Sequence, residues 1–148
     1  ERRRLQVIAG AYTVRHCAAP QVCIVAVGAL VTEAAAAADR LADMDVAAEV
    51  VCVTSPDLLY RALQARNGLS EAPTWILDQV FPAERAAPMV TVLDGHPHTL
   101  TYLATINQVR GKSLGVSTFG QVGDLDSVYR YHGIDTDNIV RAALDAVG

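Results

Sequence analysis

The longest uninterrupted apolar run, Val22 to Val27, stops at Gly28. A run with no polar alternation predicts a strand covered by helices on both faces. Val46 to Val53 repeats the pattern. Between them Thr32 and Glu33 open an alanine-rich segment reaching Leu41 and Met44, so Thr32 is expected to cap a helix that Glu33 favours in its first turn. The result is a β-α-β unit with a right-handed crossover. Upstream, Leu5 to Arg15 is apolar and β-prone, and Tyr12-Thr13-Val14 predicts an edge strand before Pro20.

Thr54-Ser55-Pro56-Asp57 opens a further helix over Leu58 to Arg66, which Asn67-Gly68 ends. Leu69 to Pro88 has no sustained period and holds the only tryptophan, Trp75; it predicts an irregular excursion with at most one short element. Val90 to Leu93 is a strand, Gly95-His96-Pro97-His98 a loop, and Thr99 to Gln108 a helix. Lys112 to Val116 is the last strand. Asp124 then caps a helix that Gly133 ends, and Asp135-Thr136-Asp137 caps a final one, Asn138 to Val147.

With 148 residues, one domain is expected, burying roughly 68–70% of its unfolded surface. Apolar residues make up 51% and charged ones 19%, yet no uncharged apolar run approaches the roughly 18 residues of a membrane span. The net charge is −4, and Arg2-Arg3-Arg4 is the only basic run, which argues against nucleic acid as a partner. Cys17, Cys23 and Cys52 form no C-x-x-C, as buried thiols of a reducing cytoplasm would. The chain opens on Glu-Arg-Arg-Arg without methionine or signal segment, so a piece of a longer protein is expected.

The sharpest chemical candidate is His96-Pro97-His98, followed by Thr99, where a strand gives way to a helix. That end of an open α/β sheet is where ligands usually bind. Two imidazoles fall short of the three or four ligands of a zinc site, and only His16 and His132 lie elsewhere. A packing or interface role and a substrate-facing role therefore both stay open. Phe119-Gly120-Gln121-Val122-Gly123 offers backbone N–H groups to an anion just before a helix; simple turn glycines are the plainer reading. The candidate ligand-binding set is thus His96, His98, Thr99, Phe119, Gly120, Gln121 and Gly123, with no metal set and no catalytic residue. Neither a Rossmann or P-loop glycine pattern nor a G-x-S-x-G elbow occurs. Ser55, Ser113 and Ser117 then read as turn or cap residues, and Tyr60, Tyr129, Tyr131 and Trp75 as core or interface area.

Val53-Thr54-Ser55, the strand Val90 to Leu93, the loop Phe119 to Gly123 and Gly133-Ile134-Asp135-Thr136-Asp137 together resemble the C-terminal domain of transketolase-like, thiamine-diphosphate-dependent enzymes. They are most similar to the homodimeric decarboxylating component of pyruvate dehydrogenase, and the resemblance extends from about Tyr12 to Val147. It implies a three-layer α/β/α sandwich around a five-stranded mixed sheet whose first strand is antiparallel to the rest. It also implies a parent in which thiamine diphosphate and magnesium are held by other domains, with no cofactor in this chain. The domain would pack on the N-terminal and middle domains, support a homodimer and, in a pyruvate dehydrogenase, serve a lipoyl-bearing acyltransferase partner; the alternatives are a transketolase, or a free-standing anion-binding or partner subunit. The His-Pro-His pattern is not part of the resemblance.

Overall fold

The computed structural model describes residues 1–118 and 123–148. Its centre is a five-stranded sheet in the order β1-β3-β2-β4-β5. The strands are β1 (Ala11–Arg15), β2 (Val22–Val27), β3 (Ala48–Val53), β4 (Met89–Val92) and β5 (Gly111–Leu114). Four of them run parallel, and β1 lies antiparallel to β3 with a register shift between Thr13 and Arg15. The expected mixed sheet with an antiparallel first strand is therefore the observed one.

Alternate side chains of the uninterrupted apolar strands feed two cores. Val22, Ile24 and Ala26 of β2, with Val50, Val90 and Val92, meet α2 (Leu30–Asp43) and α6 (Thr136–Val147). Ala34, Ala37 and Ala38 oppose Ala142, Ala143 and Ala146 in that layer, so the two helices approach closely and Leu30 and Leu41 become fully buried. Each such leucine contributes about 1.5–3 kcal/mol. Val25, Val51 and Val53 point the other way, against α3 (Pro56–Arg66), α4 (Trp75–Val80) and the 3₁₀ helix Pro97–Thr105. Helices on both faces complete three layers.

Several boundaries differ from expectation for physical reasons. The first helix, α1 (Arg2–Ala9), occupies sequence that reads as β-prone; none of its residues is buried, and Gly10 at φ 129° turns the chain into β1. The alanine-rich helix begins at Leu30, because Gly28 at φ 59° makes the turn that Thr32 was expected to mark. Leu69 to Pro88 holds two short elements, α4 and a 3₁₀ turn Ala83–Arg85. The segment expected as a helix over Thr99 to Gln108 is the 3₁₀ helix Pro97–Thr105, and Gln108 itself has φ 53°. By contrast α5 (Leu125–His132) starts after an Asp124 cap and ends at left-handed Gly133, as the sequence predicts. Among the described residues no helix is long and apolar enough to cross a membrane.

Candidate functional site

β4 and β5 run side by side, so the loops that follow them leave the same edge of the sheet. They also touch. Val116 N–H donates to the Gly95 carbonyl at 2.7 Å, and a Cβ placed on Gly115 would stand 2.5 Å from that oxygen and 2.7 Å from the Pro97 nitrogen. Only glycine lets the second loop lie this close to the first. The turn carrying the histidines is thus clamped from below by the chain after β5.

Within that turn, His96 caps the 3₁₀ helix: its Nδ1 accepts from His98 N–H at 3.2 Å. The Nδ1 atoms of His96 and His98 also face each other in direct contact, with ring centroids 4.2 Å apart and planes inclined by 56°. A nitrogen that accepts from the backbone carries no proton, so neutral His96 is assigned its proton on Nε2. Among the described residues His96 Nε2–H then has no acceptor and is free to donate. Both imidazoles are exposed, and Thr99 is half-buried with its N–H on the His96 carbonyl at 3.1 Å.

Gly123 is exposed just ahead of Asp124, which caps α5. Phe119, Gly120 and Gln121 lie outside the described residues. The Asp124 carboxylate accepts from Ser127 N–H at 2.9 Å and from Ser127 Oγ–H at 3.1 Å, and these bonds hold its pKa below the usual carboxylate range. On the same side Glu33 reaches across from α2 to accept from Thr136 N–H at 3.0 Å and from the Thr136 hydroxyl, capping α6. That role has no signal in the sequence, since the partners stand 103 residues apart. Among the described residues, no three His, Cys, Asp or Glu side chains are grouped to hold a metal ion. The carboxylates among the described residues do not assemble the donor set that a diphosphate-bound magnesium takes.

Sequence reasoning missed the most buried ionic feature. Glu49 on β3 is only 3% exposed and receives Arg85 through Nε at 3.3 Å and Nη2 at 3.2 Å, with Cys17 N–H a third donor at 3.4 Å. The thiol of Cys23 is pushed up first by its own burial and second by the Glu49 carboxylate, with Arg85 opposing. Glu49 sits inside an otherwise apolar strand run, and that interruption was the available signal. Trp75 is part-exposed beside Leu58 and Ile8, whereas Phe81 is buried in the core.

Residues 10–135 match the model of the transketolase-like TK C-terminal domain. A plasmid-borne transketolase of Cupriavidus necator is 28% identical over 141 residues, covering 95% of this chain and 19% of that protein. The fold superposes on transketolase from Leishmania mexicana with a TM-score of 0.74 at 24% identity, covering 97% of this chain and 18% of that one. A split-gene transketolase described as an inactive beta4 tetramer gives 0.69 at 18% identity, covering 94% of this chain and 42% of that one. The chain thus spans about a fifth of the length of the curated relatives it matches. These relatives are transketolases, and the narrower pyruvate dehydrogenase and oxidoreductase readings find no support among them.

Proposed function

The chain belongs to the transketolase-like TK C-terminal domain family, and from that premise we propose that it is the C-terminal domain of an enzyme transferring ketol groups between sugar phosphates. Thiamine diphosphate and its magnesium belong to other domains of that parent. This domain packs on them, supports a homodimer and shapes the rim of the active site. The observation that carries the reading is the likeness to transketolases along 95% of the chain. Decarboxylation of pyruvate is the runner-up, and no observation favours it.

Within the domain, His96, His98, Thr99 and Gly123 are the described residues we assign to ligand contact; Phe119, Gly120 and Gln121, the other members of the sequence candidate, lie outside the described residues. The support for this rim is the exposure of both imidazoles and the place of their turn at the carboxyl end of parallel strands. The test uses the full-length enzyme that carries this domain, supplied with thiamine diphosphate and magnesium. Ketose phosphate with an aldose phosphate acceptor should turn over at least about a hundredfold faster than pyruvate with a lipoyl carrier, a difference of roughly 2.7 kcal/mol in barrier. Preference for pyruvate overturns the reading. On the isolated chain, phosphate should shift the His96 and His98 imidazole resonances and leave His16 unmoved; no shift removes the rim assignment alone.

A further inference from the structure

A second polar cleft, of about 460 Å³, lies at the opposite end of the sheet. Because β1 is antiparallel, its last residue, Arg15, pairs with Val50 near the start of β3, whereas the histidine turn follows the end of β4. Arg2, Arg3 and Gln6 of α1 form one wall of the cleft, Gln79 of α4 and Arg85 another, with His16 and two β1 residues closing it. No carboxylate lines it.

That absence is notable in a chain of net charge −4. Among the described residues, six of the twelve Lys and Arg side chains hold a carboxylate within 4.0 Å. Arg2 and Arg3 hold none among the described residues. Arg3 is nevertheless placed: its guanidinium lies 5.6 Å from the Tyr12 ring centroid and donates to the Thr13 carbonyl at 3.5 Å. Gln6 Nε2–H donates to Gln79 Oε1 at 3.0 Å and ties α1 to α4 across the cleft. Arg85 is fixed more firmly, since buried Glu49 engages its Nε and Nη2 edge; among the described residues its Nη1 has no acceptor. Arg2 and Arg3, without a counter-ion among the described residues, thus line the same cleft as Arg85, whose charge Glu49 already offsets and whose Nη1 stays free to donate. An anion in the cleft would supply the counter-charge that Arg2 and Arg3 lack and accept from the free Nη1 edge of Arg85.

We propose that this cleft is a binding site for a small, multiply charged anion of the phosphate class, independent of the rim at the other end of the sheet. Guanidinium forks match phosphate oxygens bidentately, and several around one cleft suit a ligand carrying more than one charge. The volume is that of a small-molecule site, and the Gln6–Gln79 bridge bounds it where an extended polymer would need an open track.

Inorganic pyrophosphate is the probe, titrated calorimetrically into the full chain at low and at physiological ionic strength. One pyrophosphate per chain should bind, more tightly than orthophosphate. The double substitution Arg2→Gln with Arg3→Gln should weaken binding at least about tenfold, while Arg110→Gln with Arg141→Gln, which removes equal charge outside the cleft, should change it less than about twofold. On the wild-type chain the side-chain amide resonances of Gln6 and Gln79 should move on titration and that of Asn107 should not, a readout independent of how the variants fold. Silent heats, equal weakening by both double variants, unmoved Gln6 and Gln79, or displacement of pyrophosphate by an acidic peptide at lower concentration would each overturn the proposal.

Discussion

At Gly115 the backbone of one loop touches the backbone of another, and no flexible side chain stands between them. A methyl group there meets the Gly95 carbonyl at 2.5 Å and Pro97 backbone atoms at 2.7 and 2.9 Å, so one of the loops must move. Gly115→Ala should destabilise the chain by about 1–3 kcal/mol and shift the His96 and His98 resonances together. Unchanged thermal stability and spectra would show that the loops do not lean on each other. Glu49 presents the opposite case, a polar group where burial demands a partner. Arg85→Ala leaves a 3% exposed carboxylate facing Cys23 with only the Cys17 N–H as donor, which should cost about 3–5 kcal/mol in chemical unfolding. The pair-replacing variant Glu49→Gln with Arg85→Met should recover most of that loss, because it removes both charges at similar volume.

At the scale of elements, the helix ends supply the next prediction. Asp124 caps α5, and Ser127 N–H and hydroxyl bonds hold its pKa low; Asp137 is held low by the Arg40 guanidinium. A carboxylate whose folded pKa lies below its unfolded value stabilises the fold above the unfolded pKa, and the contribution vanishes as pH falls through the folded one. Asp124→Ala should therefore lower Tm at neutral pH, with the gap to wild type closing as the pH drops below the ordinary carboxylate range. A gap that persists at pH 2 would mean the carboxylate charge is not what the cap uses. These caps were legible because Asp124, Gly133 and Asp135 act within three or four residues of themselves. The buried strands were legible for a similar reason, since Val22 to Val27 is apolar on both faces wherever it packs. What stayed hidden was set at long range. α1 buries nothing, so no apolar stripe announced it; the coil of Pro97 to Thr105 tightens into a 3₁₀ helix under a cap from His96. The contact of Gly115 with Gly95, the reach of Glu33 to Thr136 and the Arg85–Glu49 pair join residues 20 to 103 apart, and local pattern carries no trace of them.

For the whole molecule, the two cores on either face of the sheet divide the labour. The layer of α2 and α6 is closed by alanines and buries its leucines completely, which makes it a structural floor. The α3 and α4 layer ends in part-exposed Leu58 and Trp75 beside the exposed α1 residue Ile8. A domain built this way has a core of its own, and it spans only about a fifth of the transketolases it matches. It should therefore fold as the isolated chain and still be unable to hold the cofactor of the proposed parent. Thiamine diphosphate with magnesium needs oxygen ligands converging on the metal, and among the described residues no such cluster forms. Calorimetric titration of the folded chain with both should give no heat beyond dilution, at concentrations where the full-length enzyme saturates. Circular dichroism of the same sample must report native helix content, so that silence reflects a missing site and not a missing fold. Micromolar binding by this chain would place the cofactor here and undo the division of roles proposed for the parent.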